Sequence, residues 1–185
     1  MRAIVFIDGG NFYFRLKDIS SELKGTYSLL DFRTRDFAVH LVRPDELIQV
    51  RYYIGKLGRE RGDEKSETMY ANQQRLIGKL QQQDVAIVLG QIIKHQDGTF
   101  HEKGVDVRIA VEMIRLARSD MYDRAYLLSS DTDLVPAVEE VRSFGKEVQY
   151  VGTAKNQSFG LTKTANDTRL LRPTDSQPFL PGTLL

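Results

Sequence analysis

"FIDGGNFY", residues 6–13, is the stretch whose reading decides the fold. The run that leads into it, residues 2–7, is short, β-branched and aromatic, and apolar at consecutive positions. That is the pattern of a strand buried on both faces. It ends on Asp8, and two glycines follow. A helix is expected from Asn11 to about Leu23, with Asn11 as its N-cap. A buried strand that turns straight into a helix begins a βαβ unit. The carboxylate at the turn raises the question of which other groups the fold delivers to the same strand end.

The rest of the chain keeps alternating. Helices are expected over 34–42, 67–82, 105–119, 133–145 and, more weakly, 157–165. Strands are expected near 47–55, 85–90, 125–130 and 147–152, with a short edge strand over 168–171. Residues 91–104 carry Asp97-Gly98 between two apolar-polar arms, a hairpin signal. Residues 56–66 read as a polar, glycine-containing loop. The alternation predicts a three-layer α/β/α sandwich around a mostly parallel sheet. The last dozen residues, with Pro173, Pro178 and Pro181, read as a loosely held tail. The expected organisation is therefore one domain over 1–172 and a tail over 173–185.

Composition narrows the class. A chain of 185 residues suits one domain, and 41% hydrophobic with 28% charged residues can build a full core. No apolar run approaches the ~18–20 residues of a membrane span. Asp8 interrupts the apolar start too early for a signal core. Cysteine is absent from the sequence, which excludes disulfides and thiolate metal sites, and a cytoplasmic protein is expected. The net charge of +1 leaves nucleic acid open, because an acidic site and basic patches cancel in the total.

In open α/β sheets, ligands bind beyond the carboxyl ends of the strands, where strand order reverses. The acids fall at that rim. Asp8 ends the first strand, "SSDTDL" supplies Asp131 and Asp133 after the strand 125–130, and "KGVDVRIAVEM" places Asp106 in the first turn of a helix. On that helix Asp106 shares a face with Ala110, Met113 and Ala117, which predicts a core-facing stripe. Each acid alone has an ordinary use: Asp8 as a turn residue, Asp106 at the helix dipole, Ser130 with Asp133 as a capping-box-like pair. Those uses do not explain why all four meet at one rim. Packed carboxylates repel and drive one another to bind a proton or a cation. Oxygen-only ligands select Mg²⁺ or Mn²⁺, and His40, His95 and His101 are not spaced with the acids, which disfavours zinc. Such an ion activates water and stabilises charge on a phosphoryl group, so the expected substrate is a phosphodiester.

With these residues in view, the chain resembles a known family. "FIDGGNFY", "KGVDVRIAVEM" and "LLSSDTDLVP" are similar, in order and spacing, to the signature blocks of NYN-domain proteins, closest to the LabA-like branch of the PIN-like nucleases. The resemblance runs from about residue 2 to 152. It implies a PIN-like, Rossmannoid fold and a metal-dependent ribonuclease. By the same resemblance Asp8, Asp106, Asp131 and Asp133 are the catalytic, metal-holding acids, and Asn11 orients an acid, water or substrate. Ser130 stands where the usual Ser-Gly-Asp-x-Asp pattern has glycine.

An acidic pocket needs cations around it to hold RNA. The loops at 56–66 and 91–104 offer Lys56, Arg59, Arg61, Lys65, Lys94, His95, His101 and Lys103 as phosphate contacts. Lys103 is favoured because it precedes the helix bearing Asp106. Phe12 and Tyr13 read first as core, with base stacking as their other use. Arg108, Glu112 and Arg115 read as a solvated helix face. The competing function is a PIN-like module that binds RNA or a protein without cutting. A haloacid-dehalogenase-like phosphatase is disfavoured because Asp-x-Asp is missing after the first strand. No G-x-G-x-x-G supports a dinucleotide-binding site.

Overall fold

The structure, a computed structural model, describes residues 1–23, 27–58, 62–94, 100–155 and 157–182, with 92–94 and 100–103 described as backbone. The strands are β1 (Arg2–Asp8), β2 (Glu46–Lys56), β3 (Ala86–Lys94), β4 (Phe100–Lys103), β5 (Arg124–Leu128), β6 (Glu147–Thr153) and β7 (Asp167–Leu171). The helices are α1 (Gly9–Glu22), α2 (Thr34–Val42), α3 (Glu64–Gln82), α4 (Val105–Arg118), α5 (Val135–Ser143), α6 (Phe159–Thr164) and α7 (Pro173–Ser176).

The strands form one sheet in the order β4-β3-β2-β1-β5-β6-β7. Every neighbouring pair is parallel except β3 with β4, which are antiparallel as the hairpin signal requires. The proposed turn at Asp97-Gly98 lies outside the described residues. Strand order reverses at β1, which pairs with β2 on one side and β5 on the other. The carboxyl ends of β1 and β5 therefore border the crevice where such sheets take ligands.

Residues alternate across β1, and two cores result. Ala3, Val5 and Ile7 pack with Phe12, Leu16 and Ile19 of α1 and with Phe37 and Leu41 of α2. Ile4 and Phe6 pack with Val105, Ile109 and Met113 of α4, with Val138 and Val141 of α5 and with Leu161 of α6. The sandwich thus has the three layers expected. Ile109 and Met113 are wholly buried, each worth about 1.5–3 kcal/mol of burial.

Three local expectations are corrected. Asp8, not Asn11, caps α1: its carboxylate accepts from the Asn11 N–H, and the helix starts two residues earlier, at Gly9. Gly9 is there for space, since a Cβ would lie 2.4 Å from the Tyr52 ring and 2.6 Å from the Tyr53 carbonyl oxygen. The buried stripe of α4 is Val105, Ile109, Met113 and Ala117; Met113 and Ala117 are as expected, but Val105 and Ile109 take the places expected for Asp106 and Ala110, which leaves Asp106 half-buried at the edge. The described part of the supposed loose tail, 173–182, is packed: Ser176 and Leu180 are buried, Phe179 meets the Phe37 ring edge-on at 5.7 Å, and Arg33 N–H donates to the Pro178 carbonyl. Pro173 and Pro178 sit at helix starts, where a missing N–H costs nothing.

Glu112 also departs from expectation. It is not solvated. Its side chain is 16% exposed and pairs at 2.6 Å with Arg51 of β2, itself 14% exposed. The Tyr53 hydroxyl donates to the same carboxylate at 2.8 Å. Burial, joined by the Glu112 contact, pushes the Tyr53 phenol well above its ordinary range. Helix α4 is therefore fastened to β2 by a charge as well as by apolar packing.

Candidate active site

Asp8, Asp106 and Asp131 line one cavity of about 470 Å³ at the carboxyl ends of β1 and β5. Each arrives by a different local device. Asp8 is the last residue of β1 and the cap of α1. Asp106 lies one residue inside α4, which Gly104 opens with φ of +78°, a left-handed conformation that glycine adopts without penalty. Asp131 follows β5, which ends at Leu128, and caps the 3-10 turn Thr132–Leu134 by accepting from the Asp133 N–H at 2.9 Å.

Asp8 is 5% exposed and held on both oxygens. Oδ1 accepts from the Asn11 N–H at 3.0 Å. Oδ2 accepts from the Asn11 amide at 2.6 Å and the Ser129 hydroxyl at 2.9 Å. The Ser129 oxygen in turn accepts from the Asp131 N–H at 3.2 Å, so one buried hydroxyl ties the first acid to the third. The Ser130 hydroxyl donates to the Asn11 amide oxygen at 2.6 Å, which fixes the amide's orientation.

Electrostatics set Asp106 apart. Burial, the charges of Asp8 and Asp131, and a hydrogen bond to Asp131 push the Asp106 carboxyl up to about 6. Negative charge is under-compensated there, as expected where carboxylates share a site. Among the described residues, no three Asp, Glu or His side chains stand close enough to hold an ion as they are. The donor chemistry nonetheless fits a hard divalent cation: carboxylate oxygens open on one cavity, and one of them is driven to share its charge.

The other expected contacts divide. Asn11 and Ser130 line the cavity. Asp133 does not; its side chain is exposed on the 3-10 turn. Lys65 is exposed in the first turn of α3 and is not part of the cavity wall. Arg59 and the side chain of Lys103 lie outside what is described. Phe12 is core, 4% exposed. Two lining residues were not anticipated. Arg15 donates to the Ser130 hydroxyl at 2.7 Å and to the Lys155 carbonyl at 2.8 Å, and Phe14 stands beside it. The signal was available, since residues three and four beyond Asn11 share its helix face.

No helix among the described residues is long and apolar enough to cross a membrane. No curated protein matches the sequence. The crystal structure of a protein of unknown function from Vibrio parahaemolyticus is similar in fold, with a TM-score of 0.65 over 97% of this chain and 96% of that one, at 20% identity. A family model for the NYN domain matches residues 2–170, strand β1 through β7 and the whole acidic cavity, and the chain therefore belongs to the NYN domain family, within the PIN-like nuclease superfamily.

Proposed function

We propose that the protein is a metal-dependent ribonuclease of the LabA-like branch, acting in the cytoplasm on RNA phosphodiester bonds. The observation that supports this best is the shared cavity of Asp8, Asp106 and Asp131, in which burial and two like charges push the Asp106 carboxyl up to about 6. Asp8, Asp106 and Asp131 would hold Mg²⁺ or Mn²⁺, with Asp133, which stands outside the cavity wall, reaching it through water or after its side chain turns inward. When bound, such an ion makes water nucleophilic near neutral pH and offsets charge on the phosphoryl oxygens.

The chain's own residues do the positioning. Asn11 and Ser129 fix both oxygens of Asp8, which spares the site reorganisation as charge develops. Ser130 sets the Asn11 amide, and Arg15 sets Ser130. Arg15 brings positive charge to a wall otherwise hostile to phosphate. Lys65, Arg59 and Lys103 are proposed as contacts to the RNA backbone.

The test is cleavage of a labelled RNA by the purified chain in Mg²⁺ or Mn²⁺. Cleavage that stops with EDTA and in Asp8→Asn and Asp131→Asn is the expected result. Binding without cleavage in either metal would favour a non-catalytic RNA-binding module.

A further inference from the structure

We propose that Phe14 is a base-stacking residue, whose ring at the cavity rim takes an unpaired nucleobase next to the phosphate that is cut. The proposal rests on the ribonuclease reading and adds where the strand lies. Phe14 is 64% exposed and lines the same cavity as Asp8, Asp106 and Asp131. It follows Gly10 by four residues and Asn11 by three, so α1 turns it to the face that carries the cavity wall. The Tyr13 ring meets it edge-on, with centroids 5.7 Å apart and planes at 73°, a favourable aromatic arrangement that steadies the ring.

A single exposed phenylalanine needs no explanation by itself. The place and the neighbour decide here. This ring borders a cavity of three carboxylates and the Asn11 amide, and the next residue, Arg15, lines the same cavity. Ring and guanidinium together offer a face for a base and a charge for a phosphate within one nucleotide. The carboxylates repel an incoming strand, so affinity must come from other groups, and stacking supplies it for any base. A base inside a duplex has no face to offer, so the ring selects unpaired strand. Phe144 is also exposed, but it follows α5 and precedes β6, at the opposite end of the sheet. It serves as the control.

The experiment uses short single-stranded RNA in which one abasic ribose is moved position by position. Binding is read by fluorescence anisotropy without divalent metal, and cleavage in Mn²⁺. For the unsubstituted protein, the abasic ribose should raise Kd and KM about tenfold at one position beside the scissile bond. Phe14→Ala should raise both about as much on intact RNA and lose sensitivity to that position, with its melting temperature unchanged. Phe14→Trp should restore the sensitivity, and Phe144→Ala should match the parent. Phe14→Ala that binds, cuts and senses the abasic ribose like the parent overturns the proposal. Position-dependent binding without cleavage supports the stacking and removes the ribonuclease reading. An RNA neither bound nor cut overturns both.

Discussion

Asp106 and Asp131 line one cavity at the carboxyl ends of β1 and β5, where burial and the charges of Asp8 and Asp131 raise the Asp106 carboxyl. The two residues belong to different elements, the first turn of α4 and the turn after β5. Their shared wall makes the cavity a place where negative charge is crowded.

The crowding has a pH signature in metal-free protein. Asp106 titrates at about 6 in the folded chain and near 3.9 when unfolded. Between those values the folded state holds the proton and the unfolded state does not, so stability falls as pH rises through that window. Asp106→Asn removes the repulsion. With half-burial and solvent screening allowed for, the expected gain at pH 7.5 is about 1 kcal/mol, or about 2–4 °C in melting temperature. The gain should vanish below pH ~4, and the variant should not cut RNA. Calorimetric melting at both pH values checks this; an equal gain at both contradicts it.

Ser129 is the hydroxyl that joins Asp8 to the Asp131 backbone. Ser129→Ala leaves a buried acceptor and a donor without that partner, a loss of about 1–3 kcal/mol. Catalysis should fall roughly 10–100-fold, as when groups that orient metal ligands are removed. The fall should appear in kcat more than KM, as read by cleavage kinetics beside urea unfolding.

Two glycines should respond in opposite directions to alanine. At Gly9 the new methyl meets a backbone oxygen as well as a ring, and the loss should be about 2–3 kcal/mol, with Asp8 displaced. At Gly78, inside α3, nothing lies within 4 Å of the new methyl. There the helix should gain about 0.5–1 kcal/mol. Chemical denaturation of both variants makes the comparison.

Glu112→Ala removes the carboxylate paired with the Arg51 guanidinium, which keeps its contacts to the Gln49 amide oxygen and the Tyr53 hydroxyl, and removal of one partner of such a pair costs about 3 kcal/mol. Arg115, 65% exposed and 3.6 Å from Glu112, should change stability by less than about 0.5 kcal/mol when replaced by alanine. Similar values for the two variants would show that Glu112 is a surface charge after all.

Much of this was legible in the sequence, and the failures have physical causes. Continuous apolar runs such as Ala3–Ile7 mark strands covered on both faces, so the layers and the parallel sheet could be read. The rim positions of Asp8, Asp106 and Asp131 followed from element order. Helices α1 and α3 start earlier than the pattern implies because Asp8 and Asp63 act as caps from inside segments that look like strand end and loop. Glu112 was misread because its charge is matched by Arg51, distant in sequence and invisible to a helical pattern. The C-terminal segment was misread because prolines, taken as signs of looseness, stand at helix starts there. Phe14 and Arg15 are not marked by any strand end; they reach the cavity from the helix face that begins there.

The most direct measurement is anomalous scattering from a crystal soaked in Mn²⁺. The expected result is one manganese in the crevice, bound by oxygens of Asp8, Asp106 and Asp131 at about 2.0–2.3 Å. A peak elsewhere, or a crevice that takes no manganese at a concentration supporting cleavage, contradicts the assignment of these carboxylates to a shared ion.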